Sequence, residues 1–288
     1  MRYHAVGSFD EAVRISASAT GITRFLAGGT DVLVQLRAGT VQPDDIIDIK
    51  HVPGVKDITR RKDGGWDIGA AVSGVELGAH AELCRDWPGV VEGMRLVGST
   101  QVQGRATLTG NLCNGSPAAD SVPGLMAAGA TVSVTGPDGA RVMAVADIPK
   151  SPGKTNLKPG EVITRVHLPP RGANGGDAYL RFIPRTEMDI AVVGCAVNLR
   201  VDGDTIIEAM VSLGAVAPTV VLVPAAGAAL VGSTLDDATL DALVTAARAA
   251  CRPISDRRGT VEFRIEVAGV LARRAASIAY ARAKGETA

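Results

Sequence analysis

Apolar and polar positions along the 288 residues alternate between two rhythms. Apolar spacings of three and four residues place one face of a helix toward a core. They run over residues 9–19, 32–38, 75–83, 89–97, 122–128, 235–251 and about 261–283. Ser8 stands three residues before Glu11, the spacing of a capping box at the start of the first helix, and Gly39 supplies a stop after the second. Short apolar or alternating runs between turn residues predict strands at 22–26, 45–49, 55–58, 66–69, 131–135, 141–145, 162–168, 190–201 and 205–213, with 220–223 as a further short one. The turns Asp63-Gly64-Gly65, Pro137-Asp138-Gly139 and Asp202-Gly203 join three of these pairs as hairpins. A Pro/Gly/Lys loop covers 150–160, and PPRGANGGD at 169–177 is the best candidate boundary. The pattern predicts an α+β protein, with a first part over about 1–54, a second over 55–172, and an antiparallel sheet backed by helices over 173–288.

Two polar, glycine-rich stretches interrupt this pattern, each leading into an apolar run. One is Leu26-Ala27-Gly28-Gly29-Thr30-Asp31; the other covers 98–121 and reads GSTQVQGRATLTGNLCNGSPAADS. Glycine lets a ligand approach the main chain closely, and successive amides in such turns form an anion-binding nest. The first stretch reads as strand, glycine turn and helix N-terminus, which aims free amides at a phosphate. By itself it is weak evidence, since an ordinary tight strand–helix turn has the same form. Two such turns together predict one extended phosphate-bearing ligand held by both. Either Asp120 or Ser121 is available to cap the helix that follows.

Charge and composition exclude several functions. Thirty acidic residues balance thirty basic ones, which removes the electrostatic argument for nucleic acid or an anionic membrane. No run approaches the ~18 to 20 apolar residues of a membrane span, and the start lacks a signal-peptide core, so a cytoplasmic location is expected. Cys84, Cys113, Cys195 and Cys251 are far apart, as are His4, His51, His80 and His167, so this chain offers no metal-site spacing. No two glycines stand two residues apart, which rules out G-x-G-x-x-G. Gly153-Lys154-Thr155 lacks the glycine that opens a P-loop and reads as a surface loop. There is no G-x-S-x-G elbow; Cys113 reads as packing, and Ser116 as a hydroxyl able to meet a phosphate or ribityl oxygen.

Residues 26–31 (LAGGTD) and 107–121 (TLTGNLCNGSPAADS) resemble the two FAD-binding loops of the flavoprotein subunit of molybdenum hydroxylases. That family includes the medium subunits of carbon monoxide dehydrogenase and xanthine dehydrogenase. The resemblance extends from Phe9 to about Arg274. It implies a two-part FAD-binding domain of the vanillyl-alcohol-oxidase (PCMH) type and a smaller C-terminal antiparallel-sheet-and-helix domain. It places Ala27, Gly28, Gly29, Thr30 and Asp31 at the pyrophosphate. Thr107, Thr109, Gly110 and Asn111 match the family's T-I-G-G-N, with Thr109 in place of its first glycine, where a Cβ restricts the turn. Asn114, Ser116 and Asp120 follow, Asp120 as acceptor for a ribityl hydroxyl. The segment RFIPRTEMDIA at 181–191 resembles the family's approach to the isoalloxazine ring. Arg181 stands where lysine is common and would place a cation beside the ring's N1–C2=O edge. Ile190 would lie against the ring, where carbon monoxide dehydrogenases carry tyrosine.

By the same resemblance the chain is an electron-transfer subunit with no catalytic residue and no metal of its own. A large partner would carry molybdopterin and a small partner the 2Fe-2S clusters, in a dimer of heterotrimers. The external acceptor would be NAD, a quinone or oxygen. The alternatives are a self-sufficient FAD-dependent reductase of the same fold and a flavin-free assembly subunit.

Overall fold

The structure, a computed structural model, describes residues 1–185 and 188–286. Thr186 and Glu187, inside the 181–191 segment, lie outside the described residues. The first unit comprises β1 (Arg2–Ala5), α1 (Phe9–Ser18), β2 (Thr23–Leu26), α2 (Val32–Arg37) and β3 (Asp45–Asp48). β3 lies between β1 and β2 and runs parallel to both. β1 escapes the apolar pattern because its side chains are mostly exposed; Arg2 instead grips Asp45 through two bonds of 2.8 Å. Ser8 caps α1 through the Glu11 amide at 3.1 Å, but the Glu11 carboxylate bonds Gly7 instead, so only half of the capping box forms.

The second unit begins with β4 (Ile58–Arg60) and β5 (Trp66–Gly69). It continues through α3 (Gly74–Ala79), α4 (Ala81–Asp86), α5 (Pro88–Arg95), α6 (Thr100–Gln103), α7 (Leu108–Cys113) and α8 (Ser121–Ala127). β6 (Thr131–Gly136), β7 (Gly139–Ala144), β8 (Pro149–Ser151), β9 (Lys154–Thr155) and β10 (Val162–Leu168) complete it. Five strands form an antiparallel sheet in the order β4-β5-β10-β6-β7. Its inner face gives Trp66, Ile68, Val132, Val134, Val166 and Leu168 to a core shared with Leu83, Val90, Met94, Leu112 and Leu125 of the helices.

Four expectations change here. The helix expected over 75–83 breaks at His80, whose extended backbone ends α3 and whose Nδ1 accepts from the Leu83 amide at 3.3 Å to start α4. The stretch 98–121 is not one loop: Leu108 and Leu112 reach the core and carry a helical turn through the polar residues around them. The loop 150–160 holds the β8–β9 ribbon. Asp120 does not cap α8 with its side chain, because its own backbone is already helical and its carboxylate is engaged elsewhere.

The third unit contains β11 (Gly175–Phe182), β12 (Val193–Asp202), β13 (Thr205–Gly214), β14 (Val221–Leu222), α9 (Pro224–Leu230), α10 (Asp237–Ala250) and α11 (Val261–Ala283). The four strands pair antiparallel in sequence order. α11 packs through Ala268, Ala272, Ala275, Ala276 and Ala279, whose small side chains permit close approach. A Cβ on Gly176 would stand 2.0 Å from the Ala279 carbonyl oxygen. β11, whose first residues look like a boundary, therefore owes its place to the helix above it. Buried polar contacts join this unit to α5: Asp177 accepts from the Val90 amide at 3.2 Å, and Glu92 accepts from the Tyr179 amide at 2.9 Å.

Candidate cofactor site

A cleft of about 900 Å³ opens between the first and second units. That volume lies at the upper end of the ~300–1,000 Å³ typical of small-molecule sites, as an extended ligand requires. The turn 27–31 forms one wall, α7 with its flanks a second, and residues 157–163 a third.

Contact between the two glycine turns sets the geometry. Gly28 lies against the main chain of the second: a Cβ there would stand 2.1 Å from the Arg105 carbonyl oxygen, and Arg105 Nε donates to the Gly28 carbonyl at 3.2 Å. Gly29 has φ +81°, a conformation side chains resist, and a Cβ there would also meet Leu26 at 2.8 Å. Among the described residues, the amides of Gly28, Gly29, Thr30 and Asp31 donate to no acceptor in the chain. The helix they lead into is six residues long, so its dipole adds little to what those amides offer.

Across the cleft, Thr107 Oγ1 accepts from the Gly110 amide at 3.0 Å and opens α7. Thr109 replaces a family glycine without strain. It lies in ordinary helical backbone, and its hydroxyl donates to the Ala70 carbonyl at 2.7 Å, so the restriction expected of its Cβ does not arise. Asn111 Oδ1 accepts from Ser121 Oγ at 2.7 Å and from the Ser121 amide at 3.2 Å. That pair fixes the amide group and leaves its Nδ2 donors free for a ligand.

Ten of the fourteen residues expected at the site line this cleft: Ala27, Gly28, Gly29, Thr30, Asp31, Thr107, Thr109, Gly110, Asn111 and Asn114. Ser116, Asp120, Arg181 and Ile190 do not. Ser116 is exposed, and its hydroxyl accepts from the Ala118 amide at 3.2 Å. Asp120 is buried, with Tyr179 Oη donating to it at 2.8 Å and Arg181 Nη1 at 2.6 Å. Burial pushes the Asp120 carboxyl up to about 6, against the pull of the Arg181 charge. Arg181 is thus no surface cation but half of a buried ion pair joining the second and third units. Ile190 is 54% exposed.

The third wall was missed. Gly153, read as surface, donates its amide to the Gly115 carbonyl at 3.0 Å, and Gly115 has φ +60° with no room for a Cβ beside Lys154. The ribbon is thereby clamped onto the second loop. Below it, Glu161 receives two bonds of 2.8 Å from Arg141 and one of 2.6 Å from the Lys158 amide. Burial opposes its ionisation, but these donors outweigh that and hold the carboxyl below its usual range. The one available signal was the density of Gly and Pro between two strands, which equally describes a solvent loop. Cys113, read as packing, is exposed and lines the cleft.

Two half-domains closing glycine turns over an elongated cleft, with a separate sheet-and-helix unit behind, are the arrangement of a protein that holds an extended, phosphate-bearing cofactor. Residues 1–171 match the family described as the FAD binding domain in molybdopterin dehydrogenase, and residues 178–279 match the CO dehydrogenase flavoprotein C-terminal domain. The chain belongs to that family, as its FAD-binding subunit. It is 32% identical to the carbon monoxide dehydrogenase medium chain of Afipia carboxidovorans, over 98% of this chain and 97% of that one. It is 29% identical to a xanthine dehydrogenase FAD-binding subunit of Escherichia coli, over 99% and 97%. The solved carbon monoxide dehydrogenase of Hydrogenophaga pseudoflava that lacks the Mo-pyranopterin moiety superposes with a TM-score of 0.93 at 31% identity, covering 98% of each chain.

Proposed function

We propose that this chain binds one FAD non-covalently in the cleft and serves as the electron-transfer subunit of a multi-subunit molybdenum hydroxylase. The observation that carries the reading is the meeting of two glycine turns, with unclaimed amides on one side and the fixed Asn111 amide group on the other. Amides of residues 28–31 and Asn111 Nδ2 hold the pyrophosphate. Thr107 and Thr109 shape the turn, since their hydroxyls are committed within the chain. Asn114 lies farther along the same wall. Arg181 and Ile190 serve the isoalloxazine end, Ser116 meets a phosphate or ribityl oxygen, and Asp120 accepts from the ribityl chain with the lone pairs that Tyr179 and Arg181 leave free. When bound, FAD supplies the conversion between single-electron arrivals and two-electron delivery.

In this reading electrons come from 2Fe-2S clusters on a small partner, fed by a molybdopterin centre on a large one. They leave to NAD, a quinone or oxygen, in a cytoplasmic dimer of heterotrimers. The chain divides into a FAD-binding domain over 1–172 and a C-terminal domain over 173–288, supported by the irregular stretch between β10 and β11. Acid precipitation of the purified chain is expected to release one FAD per chain into the supernatant. Flavin that stays with the pellet, or FMN in place of FAD, would overturn the reading.

A further inference from the structure

A second constellation lies away from the cleft, on the outer face of the five-stranded sheet. Alternation along β5, β6 and β10 sends Trp66, Ile68, Val132, Val134, Val166 and Leu168 inward, so Asp67, Ser133 and His167 point outward on three adjacent strands. Ser133 Oγ is 2.6 Å from His167 Nε2, and His167 Nδ1 is 2.7 Å from Asp67 Oδ1. Arg61 Nη1 donates to the same Asp67 oxygen at 2.9 Å, and Arg165 Nη1 approaches the other at 3.5 Å.

This chain of contacts has a direction. Burial opposes ionisation of Asp67, but hydrogen bonds from His167 and Arg61 outweigh it and hold the carboxyl below its usual range. An ionised Asp67 can only accept, so Nδ1 of His167 donates to it, and the neutral imidazole then turns its Nε2 lone pair toward the Ser133 hydroxyl. Asp orienting His, and His accepting from Ser, is the arrangement that activates a serine, recognised by geometry and not by position in sequence. Ser133 is half-buried, neither sealed in the core nor fully exposed, and the side chains of Asp67 and His167 beside it are 18% and 19% exposed.

We propose that Ser133 is an activated nucleophile that takes a small acyl group from an activated ester, with His167 as general base and Asp67 orienting it. Ser133 Oγ adds to the ester carbonyl while His167 Nε2 takes the hydroxyl proton. The ester C–O bond then breaks, the alcohol leaves with that proton, and an acyl-serine remains. Water, deprotonated by the same imidazole, cleaves the acyl-serine to carboxylic acid and restores the hydroxyl. No oxidant or reductant is involved. β6 is paired on both sides, by β10 and β7, so its amides are engaged in the ladder and not preset for an oxyanion. Each missing oxyanion donor costs about 10²–10³ in rate, so acylation is slow; an activated ester has a far better leaving group than the serine alkoxide, so deacylation is slower still and turnover is small.

The test uses p-nitrophenyl acetate on the FAD-loaded full chain. The expected result is a burst of about one p-nitrophenolate per chain and an acetyl group on the peptide containing Ser133. Ser133→Ala should lose both, and His167→Gln should slow Ser133 acetylation at least about tenfold, with flavin content unchanged. Asp67→Asn is the second variant should His167→Gln fail to fold. Wild-type protein acetylated only at lysines would overturn the proposal without any variant, as would equal Ser133 acetylation in the His167 variant.

Discussion

At the scale of single residues, the site depends on what is missing as much as on what is present. Gly28 has no side chain because the Arg105 main chain occupies its place. Gly28→Ala must push the two turns apart, and we expect FAD affinity to fall at least about tenfold, or ~1.4 kcal/mol. Titration of the apo-variant checks this, and an unchanged dissociation constant would mean that the contact does not shape the site. Asp120 shows the opposite dependence, since its carboxylate neutralises a buried guanidinium. Asp120→Ala leaves Arg181 charged and alone, which costs roughly 3–5 kcal/mol, whereas removing both charges costs less. Urea unfolding of Asp120→Ala and of Asp120→Ala with Arg181→Met should therefore rank the double variant above the single. The reverse order would show that the pair does not carry the stability assigned to it.

At the scale of elements, short pieces are held by contacts distant in sequence. α7 has six residues, too few to stand without tertiary support, and survives because Leu108 and Leu112 enter the core. The β8–β9 ribbon is held against it by the Gly153 amide and the close approach at Gly115. A side chain at Gly115 would strain a φ of +60° and stand 2.8 Å from the Lys154 nitrogen. Gly115→Ala is expected to release the ribbon, making the 149–156 segment a new site of limited proteolysis and weakening FAD binding. Wild-type digestion kinetics in the variant would show that the ribbon needs no such clamp.

At the scale of the whole molecule, buried carboxylates join the units and set an acid response with two opposing limbs. Burial pushes Asp177 up to about 6, against the pull of Arg171. The folded state thus binds this proton more tightly than the unfolded chain, whose aspartates titrate near ~3.9. Its contribution is full below about pH 4 and is lost as pH rises through about 6. Asp45 acts in the opposite sense: bonds from Arg2 and His4 hold it at about 2, so its contribution is present above about pH 4 and is lost as pH falls toward 2. Tm is expected to hold or rise from pH 7 to 5 and to fall below pH 4. Asp177→Asn should flatten the first limb; a steady decline from pH 7, unaltered in the variant, would contradict the assignment.

The local rhythms of the chain determined most elements, because an apolar face or an alternating strand advertises its partner surface wherever that surface lies. β10 and α11 appear at the residues the pattern predicts, and the hairpins turn at Asp63-Gly64-Gly65, Pro137-Asp138-Gly139 and Asp202-Gly203. The two glycine stretches stood out by composition, which suits neither core nor solvated loop, and the structure brings both to one cleft. Elements that lack a periodic face were invisible: β1, held by an ion pair; β11, held under a helix of alanines; and the β8–β9 ribbon, held by main-chain contacts. The partners of Asp120 could not be read either, since they lie 59 and 61 residues away across a unit boundary. Ser133, His167 and Asp67 looked like scattered polar positions. Only the strand order β5-β10-β6 and its register bring the three side chains together on one face, because a sheet aligns residues by hydrogen-bond pairing and takes no account of their distance along the chain.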